Sequence, residues 1–346
     1  MTKPAERHTL AGETDDHRTA FGLTLSIDRR ISIPGLGRSA FAAFDRPPSQ
    51  VRLDEGELQH LWSSLETVPL RARELRLGDE VLLTVDFAEP PGYLLSAKDF
   101  GRVLISPTGD DLLCEPDPKN GAWANILAAQ ALPLAATIRG LEVFHASGVV
   151  LDGRALLFAG QPGAGKSSLA AAFVKEGARL LSDDAVALQL MDGELVAHAG
   201  STVLQLRARE HERLSAQDRA SLGEITDSPF DKQRYLSGGI GDPAPLGRIY
   251  LLERSAGGPP LERLDAVSPF DLIASTFNLS VRTPARLLNQ LDVVSAIASG
   301  RLAYRLRVQP HIDATKLASI VRESLAADGP GPAVTMSGSG QQPPGL

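Results

Sequence analysis

Eight consecutive residues, Gly160, Gln161, Pro162, Gly163, Ala164, Gly165, Lys166 and Ser167, fit the pattern G-x-x-x-x-G-K-[ST]. Glycines let such a loop wrap closely, so that its N–H groups and the N-terminus of a following helix face phosphate oxygens. Lys166 would supply a point charge near the β and γ phosphates. The Ser167 hydroxyl would sit on the magnesium ion that bridges them, and Ser168 closes the cradle. The chemistry implied is binding of a nucleoside triphosphate, with ATP and Mg2+ as cofactors. The plainer reading is a glycine-rich turn without a ligand.

Two further features could act with the loop. Asp183 and Asp184 follow the short apolar run RLLS, and adjacent residues at a strand end can send one carboxylate to a metal and the other to an acceptor hydroxyl. His145 precedes the strand-like SGVVL, where an imidazole could contact phosphate or steer a proton. An acidic turn and a structural histidine are the alternatives.

These residues need a strand before the loop and a helix after it. SGVVL and RALLFA, joined by Asp152-Gly153, read as a hairpin. SSLAAAFVKE then reads as a helix stopped at Gly177, and RLLS and AVALQL follow as strands. Helices are expected over residues 269–277, 284–298 and 313–326, with IYLLE and AYRLRV as strands. The apolar segment NILAAQALPLAATIRG, residues 125–140, reads as a helix broken near Pro133. Residues 21–119 favour short strands (FGLTLSI, EVLLTVDF, RVLISP) around one helix over residues 55–66. The organisation expected is a disordered segment 1–18, a mostly β module 19–121, an α/β domain 122–327 and a disordered tail 328–346.

Composition narrows the partners. A net charge of −7 over 346 residues argues against an extended nucleic-acid surface. The single cysteine, Cys114, forms no internal disulfide and no cysteine zinc cage. The N-terminal residues lack the apolar stretch of a signal peptide, and no run is long enough for a membrane span. The expectation is a cytoplasmic protein with no membrane span.

The stretch FHASGVVLDGRALLFAGQPGAGKSSLAAAFVKEGARLLSDDAVAL, residues 144–188, strongly resembles the catalytic core of HPr kinase/phosphorylase. That bacterial serine kinase shares its P-loop fold with ATP-dependent phosphoenolpyruvate carboxykinase. The spacing from His145 to Lys166 and on to the Asp pair matches as well. The resemblance implies an α/β P-loop kinase domain behind a small β module. Asp184 would be the base for the acceptor hydroxyl, Lys166 and His145 would hold phosphate, and Ser167 with Asp183 would organise magnesium. It extends weakly through DKQRYLSGG and APLGRIYLLE, where Lys232, Arg234 and Arg248 are candidates for stabilising the transferred charge.

The match also fails in places. Gln205 stands where the family carries a metal-binding Glu, and a neutral amide binds magnesium more weakly than a carboxylate. The first module is not the family's usual one either. These departures turn the expected acceptor from HPr toward a serine of another peptide or small protein, such as a precursor in lasso peptide pathways. Other readings stay open: a small-molecule or carboxykinase-like enzyme on the same fold, or a nucleotide-binding regulatory or scaffold protein without turnover. Leu236-Ser237-Gly238-Gly239 mimics an ABC-type ATPase signature, but Glu253-Arg254 stands where that family needs Asp-Glu. A homo-oligomer is left open, since the family's hexamer does not carry over.

Overall fold

The computed structural model describes residues 16–37, 47–226, 232–238, 241–265, 267–277 and 280–328. The expected disordered ends fall mostly on residues 1–15 and 329–346, outside the described residues, while the first strand already begins at Asp16.

The N-terminal part is an eight-stranded sheet of β1 (Asp16–Ala20), β2 (Leu23–Ile27), β3 (Ser49–Leu53), β4 (Leu70–Leu77), β5 (Glu80–Ala88), β6 (Gly92–Ala97), β7 (Gly101–Ile105) and β8 (Asp111–Pro116). Their order is β1-β2-β3-β8-β7-β6-β5-β4, with β4 to β8 an antiparallel meander. One helix, α1 (Glu57–Ser63), packs Leu58 against Leu94, Leu104 and Leu113. Sequence reading found fewer strands here, because β4 carries four charged residues in LRARELRL and hides its period.

The segment expected as a helix broken near Pro133 is one helical run over residues 125–138, interrupted by a π-helical turn, Leu127–Ala131, that leads into α2 (Leu132–Ile138). The interruption sits just before Pro133, where the Leu132 N–H reaches back to the Leu127 carbonyl and the proline supplies no N–H of its own. Leu127, Ala131, Leu132 and Leu134 share one apolar core with Leu25, Val51, Val85 and Ile105 of the N-terminal sheet.

A second sheet holds β9 (Glu142–Phe144), β10 (Ala146–Leu151), β11 (Arg154–Gly160), β12 (Arg179–Ser182), β13 (Val186–Met191) and β14 (Glu194–His198). A small antiparallel sheet of β15 (Val203–Arg207), β16 (Glu224–Thr226) and β17 (Lys232–Leu236) lies apart, in the order β15-β17-β16. The second sheet is completed by β18 (Ala244–Arg254), β19 (Leu261–Arg263) and β20 (Ala303–Val308), in the order β12-β10-β11-β18-β14-β13-β9, with β20 also on β18 and β19 on β20. The expected hairpin forms between β10 and β11, with Asp152 at φ 50° and Gly153 at φ 76° in its two-residue turn.

The helices are α3 (Lys166–Lys175), α4 (Ala208–Glu212), α5 (Ala216–Leu222), α6 (Pro269–Ile273), α7 (Pro284–Ser299) and α8 (Ala314–Asp328). Alternation along β11 decides the layering. Leu156 and Phe158 face α3 and α8, where Phe158, Phe173 and Tyr250 form a ring cluster. Ala155, Leu157 and Ala159 face Val293, Val294 and Ile297 of α7. Each large side chain buried this way contributes roughly 1.5–3 kcal/mol. Helices on both faces clamp β11 and fix where its C-terminal end delivers the loop. The chain is thus a mixed α/β protein with several sheets.

Candidate functional site

Between β11 and α3 the backbone turns through Gly160 at φ 150°, Gly163 at φ 80° and Gly165 at φ 104°. A Cβ on Gly160 would lie 2.7 Å from the Leu252 carbonyl oxygen of β18, so the strand pairing itself demands glycine there. Arg254, at the end of β18, donates from Nη2 to the Gly163 carbonyl and holds the tip of the loop. Gly165 caps α3, which begins at Lys166.

Lys166 is buried, and its Nζ donates to the Gly160 carbonyl at 2.8 Å. It also lies 3.2 Å from Nε2 of His145, whose Nδ1 is 2.9 Å from the Asp184 carbonyl oxygen. Both contacts are met at once by a neutral ring that carries its proton on Nδ1: it donates to Asp184 and accepts from the ammonium. Burial, and then the Lys166 charge, hold the imidazole pKa below its ordinary value, consistent with that neutral form. Burial likewise lowers the Lys166 pKa, against the pull of Asp184 and Asp183.

Asp183 follows the end of β12 and is buried. Its Oδ1 accepts from Ser147 at 2.5 Å and Ser167 at 2.9 Å, and its Oδ2 accepts from the Gln205 backbone N–H at 3.0 Å. Burial, then the Asp184 carboxylate, push its carboxyl up to about 6 against these three donors. Asp184 adopts φ 67°, a left-handed conformation that costs roughly 1–3 kcal/mol in a non-glycine residue and concentrates at functional sites. Its Oδ2 accepts from the Gln205 side-chain amide at 3.4 Å.

The chemistry of the donor set fits magnesium. Ser167 and Asp183 offer hard oxygens at the loop, and Mg2+ bound to phosphates needs only one or two carboxylates beside them. Among the described residues no three His, Cys, Asp or Glu side chains gather into a metal-holding group. Gln205 approaches through its backbone N–H and its amide, so the position expected to carry a Glu serves the Asp pair with hydrogen-bond donors.

The other expected residues divide. Arg234, on β17 opposite Gln205 of β15, is buried beside the Asp pair, and burial lowers its pKa. Gln161 and Pro162 line a cavity of about 290 Å³ together with His145, Gly160, Ser275 and Arg305. Ala164 packs into the core under the loop. Ser168 turns away and donates to Oε1 of Glu210 at 2.6 Å, so its hydroxyl ties α3 to α4. Arg248 lies over the Tyr304 ring at 4.5 Å and bonds Ser324, far from the Asp pair in its contacts. Glu253 pairs with Arg305 at 3.2 Å, and Gly239 of the ABC-like string lies outside the described residues.

On the other side of the Asp pair is a cavity of about 70 Å³, lined by Phe100, Asn125, Ala129, Asp184, Gln205 and Arg234 among others. Phe100 comes from the turn between β6 and β7, and Asn125 and Ala129 come from the π-helical turn and its approach, a type of turn that often marks functional sites. The Asn125 Oδ1 is buried without a hydrogen-bond partner. Sequence reading missed Ser147, Phe100 and Asn125, because only folding across two sheets brings them to the loop. A larger cavity of about 520 Å³, lined by Arg18, Arg29, Ile31 and Leu236 among others, includes neither the loop nor the Asp pair.

No helix among the described residues is long and apolar enough to cross a membrane. Neither a family model nor a curated protein sequence matches the chain. Among solved structures, the Hpr(Ser) kinase/phosphatase from Coxiella burnetii is similar at a TM-score of 0.28 and 13% identity, over 54% of this chain and 99% of that one. A likeness that distant assigns neither substrate nor activity here.

Proposed function

We propose that the protein is a kinase-type phosphotransferase that moves the γ-phosphate of ATP to a hydroxyl, with a serine of a peptide or small protein as the acceptor. The observation that carries this reading is the convergence of Lys166, Ser167, Asp183, Asp184 and His145, from three separate segments, at one strand–loop–helix junction. Phosphoryl transfer needs little covalent help from a protein and depends on positioning and charge stabilisation, which such a cluster supplies.

In this reading the loop amides, Lys166 and the start of α3 hold the β and γ phosphates, and neutral His145 orients the lysine. Magnesium, held by Ser167 and Asp183, would neutralise charge on the phosphate oxygens. Asp184, which lines the smaller cavity, takes the proton from the acceptor hydroxyl. The acceptor oxygen bonds to the γ-phosphorus as the bond from that phosphorus to the β–γ bridging oxygen breaks, and ADP leaves with the electron pair. Arg234 and Gln205 face the acceptor side. A cavity of about 70 Å³ suits one small hydroxyl-bearing group and excludes bulky acceptors. A precursor of the lasso-peptide kind fits this requirement because an extended chain can present one serine.

The test is transfer of γ-labelled phosphate from MgATP to serine-containing peptides, with free serine and glycerol as small-molecule acceptors, in the wild type, Lys166→Ala and Asp184→Asn. The expected result is labelled peptide, lost with Lys166→Ala, and lowered about 10²–10⁴-fold with Asp184→Asn while ATP still binds. Label on glycerol or serine alone would replace the peptide acceptor by a small molecule. ATP binding without any transfer would leave a nucleotide-dependent scaffold.

A further inference from the structure

The small sheet of β15, β16 and β17 has two faces of opposite character. Leu204, Leu206 and Tyr235 pack into one core with Leu169 and Phe173 of α3. Alternation along the strands therefore puts Gln205, Arg207, Lys232 and Arg234 on the other face. Gln205 and Arg234 stand opposite each other there and line the cavity beside the Asp pair. Two residues further along the same face, Arg207 stands opposite Lys232. Arg207 reaches the phosphate loop itself: its Nη2 lies 3.1 Å from the point that a Cβ on Gly163 would occupy. Arg254 holds the same glycine from its carbonyl side.

Like charges directly opposite each other on a sheet are destabilising. Among the described residues neither Arg207 nor Lys232 forms an ion pair, whereas Arg52, Arg71, Arg76 and Arg102 of the N-terminal sheet are each matched by a carboxylate. The repulsion is relieved when an anion settles between the two cations. The pair is also close to the loop lysine: burial lowers the Lys166 pKa first, and the Lys232 charge adds to it. A triphosphate chain suits this arrangement better than a single carboxylate, because its charge runs along its length and it lies against the loop that Arg207 touches.

We propose that Arg207 and Lys232 form a second wall of the phosphate site and hold the triphosphate chain of a nucleotide against the loop. The small sheet is then the element that closes the site over the phosphates. This inference rests on the nucleotide-binding part of the phosphotransferase reading for the identity of the anion.

The experiment is calorimetric binding of MgATP and of inorganic tripolyphosphate to the full chain, as wild type, Arg207→Gln, Lys232→Gln and the double variant, with the Tm of each ligand-free protein. Each single change should raise the MgATP Kd about tenfold, and the double variant should bind more weakly than either. The Tm of the ligand-free variants should not fall, since each change removes one of two repelling charges. A purely structural role would lower the Tm instead. A change in Kd of less than about threefold in either single variant, or weaker binding that comes with a lower Tm, would overturn the proposal. MgATP that binds through the pair but is never transferred would leave the proposal standing and remove only the kinase reading. If the wild type binds no MgATP, the phosphotransferase reading fails, and tripolyphosphate decides the site: binding lost in the double variant supports it, and binding that is retained or absent from the start overturns it.

Discussion

Replacing Gly160 and Gly165 separately by alanine should give unequal losses of stability, and the inequality follows from what a Cβ meets at each position. Both residues lie at positive φ, 150° and 104°, so each alanine carries backbone strain of about 1–3 kcal/mol. At Gly165 the new Cβ meets nothing within 4 Å. At Gly160 it meets the Leu252 carbonyl oxygen at 2.7 Å and the Leu252 Cβ at 3.2 Å, inside the separation of about 3.5 Å at which such contacts become favourable. Those atoms belong to β18, which pairs with β11 at this register point and is held by β20 on its other side. The contact cannot relax by rotating a side chain, and overpacking of this kind adds about 1–3 kcal/mol. Gly160→Ala should therefore be the less stable variant by about 1–3 kcal/mol, which at about 2–4 °C per kcal/mol is about 2–12 °C of Tm. Urea and thermal unfolding of both variants measure the gap. Because the Gly160 carbonyl accepts from Lys166, its displacement should also weaken MgATP binding about tenfold. A Gly165→Ala variant as unstable as Gly160→Ala would refute the idea that contact with β18, rather than φ alone, dictates glycine at the loop entrance.

The remaining expectations concern the acceptor cavity and a buried carboxyl. Ala129→Leu should fill the cavity of about 70 Å³ beside Asp184 and raise the acceptor KM, with MgATP binding as the control; an unchanged acceptor KM would move the acceptor elsewhere. Glu142 is enclosed between β9 and α7, with Oε1 accepting from Arg286 at 2.9 Å and Gln290 at 3.0 Å, and burial pushes its carboxyl from 4.5 up to about 7. A carboxyl raised in this way contributes stability that is fully present below pH 4.5 and lost as pH rises through about 7, at most about 3 kcal/mol over that window. Glu142→Gln should therefore gain on the wild type between pH 5 and pH 8 in urea unfolding. A gap that moves the opposite way would make the Arg286 ion pair, rather than burial, the controlling influence.

Local chemistry was legible in the sequence, and long-range assembly was not. The hairpin at Asp152-Gly153, the strand β11 and the helix from Lys166 to its stop near Gly177 are each written in neighbouring residues, since positive φ and apolar alternation need no partner to be read. The clustering of Lys166, His145, Ser167 and the Asp pair was anticipated only through spacing within a resemblance. The structure adds how they touch, through the Asp184 carbonyl and the Asp183 carboxylate. Ser168 shows the limit of a motif: its place next to the loop suggested phosphate, but the helix turns its hydroxyl to Glu210, 42 residues later. Phe100 and Asn125 were out of reach altogether. Neither carries a local signal, and only the fold brings the turn after β6 and the approach to the π-helical turn beside the Asp pair.

The single apolar core that joins the N-terminal sheet to the π-helical turn has a consequence for inheritance. Modules joined by a linker can be exchanged by recombination, because each keeps its own interior. Here Leu25, Val51, Val85 and Ile105 share one interior with Leu127, Leu132 and Leu134, so a foreign sheet spliced in at residue 121 would leave those leucines poorly covered. The two parts can change only together, residue by residue across their seam, and a substitution on one side calls for a matching one on the other.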